Sequence, residues 1–179
     1  FEESGDRDVL VSLKNFHGIE LEDFACCVAR TALWIAEKQA DADTAKVTQR
    51  VYQELPLTDY AGVVNANALR IDWNEVVPAD KVSYVLGNPP FIGHQWRNED
   101  QQSDMGLIFK GVRGAGKLDY VCCWFEKAAA FIKGKDARCA FVSTNSVCQG
   151  ESVGILWRRF AEEGIEIDFA WRSFIWDSQ

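Results

Sequence analysis

Positive charge is scarce in this chain of 179 residues, in which 19 basic residues are outnumbered by 27 acidic ones and the net charge is −8. A protein that binds nucleic acid by itself normally presents a basic surface, so this balance argues against a stand-alone nucleic-acid binder. Long apolar runs are also missing: none reaches the ~18 residues that a transmembrane helix needs, and no signal peptide is visible. We therefore expect no membrane association.

Histidine is rare as well, with two residues, so the six cysteines have few partners for a metal site. The cysteines occur as two adjacent pairs and two single residues: Cys26-Cys27, Cys122-Cys123, Cys139 and Cys148. Adjacent pairs lack the spacing of a zinc site, and we expect no metal. Most of these cysteines lie in apolar periodic stretches, which indicates reduced, buried thiols in a cytosolic protein and a cytoplasmic location.

The apolar pattern predicts alternating strands and helices in a chain about one domain long. The predicted elements are strands at residues 15–19, 63–69, 82–87, 138–142 and 166–170, and helices at residues 22–40, 118–132 and 152–163. Asp119 is predicted to cap the second of these helices, and Gly134 to end it. This order favours an α/β fold with a mainly parallel sheet.

Two long segments lack a clear apolar pattern. Residues 41–58 are polar and are predicted to form a loop or a short helix. Residues 92–117 are polar too and contain five glycines, at positions 93, 106, 111, 114 and 116. Because structureless segments of this length are usually functional or disordered, we predict a mobile surface loop over residues 92–117.

The most informative residues are Asn88, Pro89, Pro90 and Phe91, which directly follow the apolar strand predicted at residues 82–87. Ligands bind at the carboxyl ends of strands in an open α/β sheet. Proline fixes its own φ and pushes the preceding residue into an extended conformation, so two prolines hold their neighbours in place before a substrate arrives. The alternative is purely structural: a Pro-Pro turn in which Asn88 is a cap and Phe91 belongs to the core.

The loop resembles that of amino-group methyltransferases that use S-adenosylmethionine, and this resemblance implies an exocyclic amine on a purine ring as the substrate. Its lone pair is delocalised into the ring, so it is a weak nucleophile and needs acceptors that hold its N–H groups. The side-chain oxygen of Asn88 and the carbonyl of Pro89 can supply such preorganised acceptors. Phe91 adds an apolar face on which a base can stack, typically for ~1–3 kcal/mol per base. No general base is obvious nearby, and displacement at a sulfonium methyl does not require one.

These four residues resemble the catalytic Asn-Pro-Pro-Phe loop of amino-group methyltransferases that use S-adenosylmethionine, above all DNA adenine-N6 methyltransferases. From Asn15 to Trp176 the chain is similar to the middle of the methyltransferase domain of type IIG and type IIL restriction–modification enzymes. The resemblance implies an α/β, Rossmann-like S-adenosylmethionine-dependent methyltransferase fold, present incompletely as a partial catalytic domain over residues 1–179.

The resemblance also implies which residues hold S-adenosylmethionine. The family has an acid at a strand tip that bonds the ribose hydroxyls, and Glu20 stands at this place, at the end of the strand predicted first. A second acid accepts from the amino group of the cofactor, which points to Asp72. Leu69 would pack on the cofactor adenine, and Asn88 would contact the cofactor as well. Each acid has a structural alternative: Glu20 could stabilise a helix N-terminus, and Asp72 could close a turn.

A run of hydroxyl, amide and thiol side chains follows the strand predicted at residues 138–142. By the same resemblance, Ser143, Thr144 and Asn145 are expected to shape the pocket for the target base. Helix capping by Ser146 or one of its neighbours is the structural alternative for any one of these residues.

The chain departs from the family in an important place. The family has a Gly-rich loop of the type Asp-Pro-Ala-Cys-Gly-Ser-Gly around the methionine part of the cofactor, and no such sequence precedes Phe16. The last strands of the fold and a target-recognition domain are not found before Gln179 either. We therefore expect a piece of a longer protein that lacks the central first strand, is inactive by itself and self-associates through exposed strand edges.

The leading hypothesis is that the parent protein methylates the N6 of an adenine flipped out of double-stranded DNA, which it binds mainly through regions outside this chain. Two other amino-group substrates fit the loop: a glutamine side-chain amide in a protein and a guanine in RNA. A third hypothesis is a non-catalytic binding or scaffold fragment, which the missing Gly-rich loop would explain. Binding of S-adenosylmethionine by a longer protein separates the enzymatic hypotheses from the last one.

Overall fold

The structure, a computed structural model, describes residues 12–48 and 62–175. The chain divides into two compact units, Phe1–Val76 and Val77–Gln179. Among the described residues, each unit contains one two-stranded sheet, and both sheets are parallel, as the sequence predicts. No helix in the described ranges is both long enough and apolar enough to cross a membrane.

In the first unit, strand β1 (Gly18–Glu20) pairs in parallel with strand β2 (Val63–Asn65), and Glu20 lies opposite Asn65. Helix α1 (Asp23–Thr48) starts just after β1 and packs on both strands. The guanidinium of Arg30 on this helix donates to the carbonyl oxygen of Val63 at 2.6 Å. The helix is thereby tied to the backbone of β2.

Helix α1 is longer than predicted and uses a different face for packing. It continues to Thr48, so the loop predicted for residues 41–58 is wrong for residues 41–48, and the remainder lies outside the described residues. Alanine at positions 42 and 45 favours helix over loop there. The apolar face whose spacing predicts the helix is largely exposed to solvent, since Phe24 and Val28 are 81% and 50% exposed. Cys26, on a different face, is fully buried.

Both strands of the first unit are shorter than predicted. Strand β1 starts at Gly18 rather than at Asn15, because a short 3₁₀ helix that ends at Asn15 precedes it. Strand β2 ends at Asn65 rather than at Leu69. The side-chain oxygen of Asn67 accepts from the Leu69 N–H at 2.9 Å and turns the chain out of the sheet.

In the second unit, strand β3 (Tyr84–Gly87) pairs in parallel with strand β4 (Arg138–Phe141), and Gly87 lies opposite Phe141. The α-helices of this unit, in chain order, are α2 (Glu99–Ile108), α3 (Cys122–Ile132) and α4 (Arg158–Glu162). A π-helical turn at Val153–Trp157 leads directly into α4, so the helix predicted at residues 152–163 is confirmed in position but not in its regular geometry.

Helix α2 lies within residues 92–117, so the predicted loop is wrong for Glu99–Ile108, while mobility of the remaining residues stays a prediction. A capping box starts the helix. Asn98 Oδ1 accepts from the Gln101 N–H at 2.9 Å, and Gln101 Oε1 accepts from the Asn98 N–H at 3.0 Å. These reciprocal bonds satisfy two backbone donors that a helix otherwise leaves open at its start.

Helix α2 docks on the start of helix α3 through buried polar and sulfur contacts. Asp104 is 2% exposed, and its Oδ2 accepts from the hydroxyl of Tyr120 at 2.7 Å. The sulfur atoms of Met105 and Cys123 lie 3.1 Å apart. These contacts between segments offset the low helix propensity of the glycine within α2, which costs about 1 kcal/mol.

Two other predicted elements differ from the structure. Helix α3 begins at Cys122 rather than at Leu118, and its N-cap is Val121 rather than Asp119. The strand predicted at residues 166–170 is wrong, because residues 165–175 have no regular secondary structure. Their alternating apolar pattern is that of a strand, but a strand needs a neighbour for its hydrogen bonds, and none is found within the described ranges.

The thiols differ in access, and this predicts their reactivity. Cys26, Cys122 and Cys123 are buried, whereas Cys27 and Cys148 are exposed. Burial raises the pKa of Cys122 to about 12 and also raises the pKa of Cys123. Because only the thiolate reacts, we expect iodoacetamide at about pH 8 to alkylate Cys27 and Cys148 long before the buried three. Peptide mass spectrometry of briefly treated protein measures this order, and early alkylation of the buried thiols in the folded chain would contradict it.

Candidate active site

The Asn-Pro-Pro-Phe loop, residues 88–91, leaves the carboxyl end of strand β3 beside the end of strand β4. The carbonyl of Gly87 accepts from the Val142 N–H at 3.1 Å, which joins the two strand ends. A Cβ atom at position 87 would lie 3.1 Å from the ring of Phe141. A side chain at position 87 would therefore press on Phe141, and glycine allows the loop to start this close to the neighbouring strand.

The side chains of the loop alternate between burial and exposure. Pro89 is buried, whereas Asn88 and Pro90 are exposed and Phe91 is 44% exposed. The Asn88 side chain makes no hydrogen bond with any residue that the structure describes. The purely structural alternative, a turn in which Asn88 is a cap and Phe91 belongs to the core, does not match this exposure. The loop thus carries an exposed amide and a partly exposed ring on a backbone that two prolines restrict.

The far end of the loop is fastened to the segment that leads into helix α3. The Ile92 N–H donates to Asp119 Oδ1 at 3.2 Å, and the Ile92 carbonyl accepts from the Tyr120 N–H at 2.9 Å. Tyr120 is itself 5% exposed and bonded to Asp104 through its hydroxyl. The loop is thus held at one end by the sheet and at the other by the buried junction of helices α2 and α3.

A polar rim, residues 143–146, leaves the end of strand β4 at the same edge. The Thr144 and Ser146 hydroxyl oxygens lie 2.6 Å apart, and the Ser143 hydroxyl donates to the Thr144 carbonyl at 3.4 Å. Asn145 is exposed and begins the 3₁₀ helix Asn145–Cys148, at whose start no side-chain cap is formed. Parallel strands bring this rim and the Asn-Pro-Pro-Phe loop to one edge of the sheet, where α/β proteins bind ligands.

The candidate acids for the cofactor lie in the first unit. Glu20 ends strand β1, and its Oε1 accepts from the Glu22 N–H at 3.0 Å. The backbone carbonyl of Glu20 accepts from the Asn65 side chain at 3.2 Å, and this amide also donates to the Leu21 carbonyl at 2.7 Å. These bonds hold the tip of the strand and leave Glu20 Oε2 without a donor in the described part of the chain.

Asp72 and Leu69 are placed differently from Glu20. Asp72 is exposed and caps a short 3₁₀ helix, since its Oδ1 accepts from the backbone N–H of Asn74 at 2.9 Å and from its side chain at 3.0 Å. The turn function considered for Asp72 is therefore present. Leu69 is 1% exposed, so a contact with an adenine ring would require this side chain to be uncovered. Their roles toward a cofactor stay predictions.

The basic side chains that follow the loop in the sequence fall into two groups. The Arg97 guanidinium donates to the Gly116 carbonyl at 2.5 Å, and Lys117 lies 2.6 Å from a carboxylate oxygen of Glu151. Lys110 and Arg113 are exposed and pair with no acid in the ranges that the structure describes. Lys110 and Arg113 are therefore available for an anionic partner.

Sequence reasoning missed the role of Asp119, which it assigned to a helix cap. The carboxylate contacts Ile92 directly after the Asn-Pro-Pro-Phe loop, the start of helix α3 and the polar rim. The sequence does place Asp119, followed by Tyr120, at the start of a strong apolar helix pattern, and this position was the signal for a role at that point. The partners, however, are 27 residues away in both directions along the chain, and no local pattern identifies them.

Parallel strand pairs with helices between them and polar loops at the strand ends define an α/β fold, and its similarity to known proteins shows that it is part of a Rossmann-like methyltransferase domain. The chain belongs to the family of the MmeI DNA-methyltransferase domain, which matches residues 2–179. It is 45% identical over 169 residues to DNA methyltransferase A of Bacillus subtilis (strain 168), with 93% of this chain and 19% of that protein covered.

The structure is also similar to that of the type IIL restriction–modification enzyme MmeI, which was solved in complex with DNA. The TM-score is 0.89 and the sequence identity 38%, over 99% of this chain and 25% of the MmeI chain. The chain thus spans 19% and 25% of the length of these two relatives.

Proposed function

We propose that the protein containing this chain transfers a methyl group from S-adenosylmethionine to the N6 of an adenine flipped out of double-stranded DNA, as part of a restriction–modification system. The observation that supports this most directly is the state of Asn88. Its exposed amide has no hydrogen-bond partner in the described residues, at the carboxyl end of a strand, in a loop fastened at both ends. Such a side chain is ready to accept from an incoming N–H group.

The loop residues have complementary roles in this reaction. The Asn88 side-chain oxygen and the Pro89 carbonyl accept from the N6 amine and draw its lone pair out of conjugation with the ring. Phe91, which is 44% exposed, stacks on the flipped base. The amine nitrogen held in this way would take up the methyl group, and its surplus N–H proton would pass to solvent. S-adenosylmethionine supplies the activated methyl group and a neutral thioether as the leaving group.

The first unit has hydrogen-bond acceptors that fit the cofactor in part. Glu20 would hold the ribose hydroxyls, because its Oε2 has no donor in the described part of the chain and lies at a strand tip. Asp72 would accept from the amino group of the cofactor adenine, and it would have to share its carboxylate with Asn74.

The proposal is tested with a full-length protein that contains this chain. We expect labelled methyl groups from S-adenosylmethionine to enter duplex DNA and to be recovered as N6-methyladenine after digestion to nucleosides. Label in protein glutamine or RNA guanine instead would overturn the DNA assignment in favour of another amino-group substrate. Failure of the same protein to bind S-adenosylmethionine at all would overturn the enzymatic assignment in favour of a scaffold.

Replacing Lys110 and Arg113 by glutamine is expected to weaken DNA binding and its salt dependence. Both cations lack an acidic partner in the described residues, so each can neutralise a phosphate and release counterions. The slope of log Kd against log salt concentration should fall by about one for each cation lost. Lys117→Gln is the matched control, because Lys117 is paired with Glu151 at 2.6 Å and should change the slope less. Equal slopes in the double variant and the wild type would contradict the assignment.

Two further expectations follow from the proposal and the strand pairing. A restriction–modification role would place the protein with the DNA in the cytoplasm.

Each described sheet has two strands, so each strand has an edge without a partner in the described residues. The isolated chain is therefore expected to self-associate. Sedimentation of the isolated chain measures this, and a monomer at all concentrations would contradict it.

A further inference from the structure

The carboxylate of Asp119 lies where three segments of the second unit meet. Its Oδ1 accepts from the Ile92 N–H at 3.2 Å and from the Val121 N–H at 3.3 Å. Its Oδ2 accepts from the Ser146 hydroxyl at 3.1 Å. A carboxylate is an acceptor-only group that can take several donors at once, and bonds to a charged acceptor are stronger than bonds between neutral groups. One side chain thus joins the Asn-Pro-Pro-Phe loop, the start of helix α3 and the polar rim.

On the loop side, the contact fixes the residue that directly follows Phe91. Ile92 is clamped twice, since its N–H donates to Asp119 and its carbonyl accepts from the Tyr120 N–H at 2.9 Å. The other end of the loop is continuous with strand β3, where Gly87 is in register with Phe141. Residues 88–91 therefore span two fixed points, and loss of the Asp119 bond releases one of them in part.

On the rim side, the contact continues through hydroxyl groups. Ser146 donates to Asp119 and lies 2.6 Å from the Thr144 hydroxyl oxygen, and the Thr144 carbonyl accepts from the Val147 N–H at 3.3 Å. The rim is therefore held by the same carboxylate that holds the loop. No other side chain among the described residues bonds both segments.

We infer that Asp119 is a positioning residue that sets the Asn-Pro-Pro-Phe loop against the polar rim and thereby fixes the geometry in which the substrate amine is held for methyl transfer. This inference rests on the proposed function, which it deepens by naming a residue that acts through the loop rather than on the substrate. Asp119 bonds to backbone and hydroxyl groups of its own chain and needs no contact with the amine.

The test compares Asp119→Ala with Asp119→Asn in a full-length protein that contains this chain. We expect Asp119→Ala to lower the single-turnover rate of methyl transfer about 100-fold, the usual loss when reacting groups are misplaced by about an ångström. Binding of S-adenosylmethionine and DNA should be unchanged. Asp119→Asn should restore most of the rate, because its oxygen can accept from Ile92 and Val121 while its amide donates to the Ser146 oxygen.

Hydrogen exchange measured by mass spectrometry is a readout that does not depend on activity. In Asp119→Ala, peptides covering residues 88–96 and 143–149 should exchange faster, while peptides from the C-terminal part of helix α3 should not change. Asp136→Ala is the matched control, because Asp136 is exposed and has no hydrogen bond or ion pair with any described residue. This control should leave both the rate and the exchange unchanged.

The inference is overturned if Asp119→Ala transfers methyl groups like the wild type, or if it loses cofactor binding in parallel with the rate. Should Asp119→Ala not fold, Ser146→Ala decides: a slower transfer and faster exchange at residues 143–149 support the inference, and no change overturns it. If the wild type methylates no DNA, the proposed function is wrong, and hydrogen exchange alone tests the role of Asp119. Faster exchange at residues 88–96 and 143–149 in Asp119→Ala then supports the inference, and unchanged exchange overturns it.

Discussion

Replacing Asn88 by alanine is expected to lower the single-turnover rate of methyl transfer to DNA about 100- to 1000-fold, the loss typical of removing one preorganised polar group from an active site. The amine is a poor nucleophile while its lone pair is conjugated, and Asn88 supplies the side-chain acceptor that changes its geometry. The substitution should not disturb folding, because the Asn88 side chain is exposed and has no hydrogen bond within the described residues.

Rapid-quench measurement of methyl incorporation with saturating DNA and S-adenosylmethionine isolates this step from binding. Asn88→Asp should retain more activity than Asn88→Ala, since a carboxylate still accepts from the N–H groups. Gln95→Ala is a suitable control, because Gln95 is an exposed amide without a partner in the described part of the chain. A rate for Asn88→Ala close to that of Gln95→Ala would show that the loop does not act on the amine.

Replacing Phe91 by alanine is expected to lower kcat/KM for DNA about 5- to 150-fold, which corresponds to a stacking contribution of ~1–3 kcal/mol. The side chain is 44% exposed, so its loss opens no cavity in the core and the chain should remain folded. Phe91→Tyr keeps the ring and should keep most of the activity. The fluorescence of 2-aminopurine at the target position should report a flipped base that is less stacked in Phe91→Ala.

An exposed phenylalanine elsewhere in the same unit separates stacking from loss of apolar surface in general. Phe169 is 65% exposed, and Phe169→Ala should leave kcat/KM unchanged. If Phe91→Ala and Phe91→Tyr lose activity equally, the ring is not used for stacking. If neither loses activity, another side chain holds the flipped base.

Several elements could be predicted because their signals are local. The apolar run before Asn88 becomes strand β3, and the periodic apolar pattern of residues 118–132 becomes helix α3 with a start at Cys122. Parallel pairing follows from helices between the strands, since a parallel pair needs a crossover connection. These predictions depend on side-chain spacing over one element, which the sequence shows directly.

Helix α2 and the strand predicted at residues 166–170 show where local signals fail. The glycines of residues 92–117 indicate a loop, yet burial of Asp104 against Tyr120 and the Asn98 capping box stabilise a helix there. Residues 166–170 alternate as a strand should, yet they form none in the absence of a bonded neighbour among the described residues. Helix α2 thus depends on a local cap together with a contact 16 residues away along the chain, and residues 166–170 lack the neighbouring strand that their pattern requires.

The sequence by itself determined the chemistry that this protein can offer: an amide, two prolines and an aromatic ring at the end of an apolar strand, with an acid at the tip of another. Backbone restriction by proline and the chemistry of an amide oxygen are properties of the residues, so no fold is needed to recognise them. Only the tertiary structure decided how the loop is held. Asp119 meets Ile92 and Ser146 because strands, helix and loops converge at one edge of a sheet, and such long-range proximity leaves no local pattern in the chain.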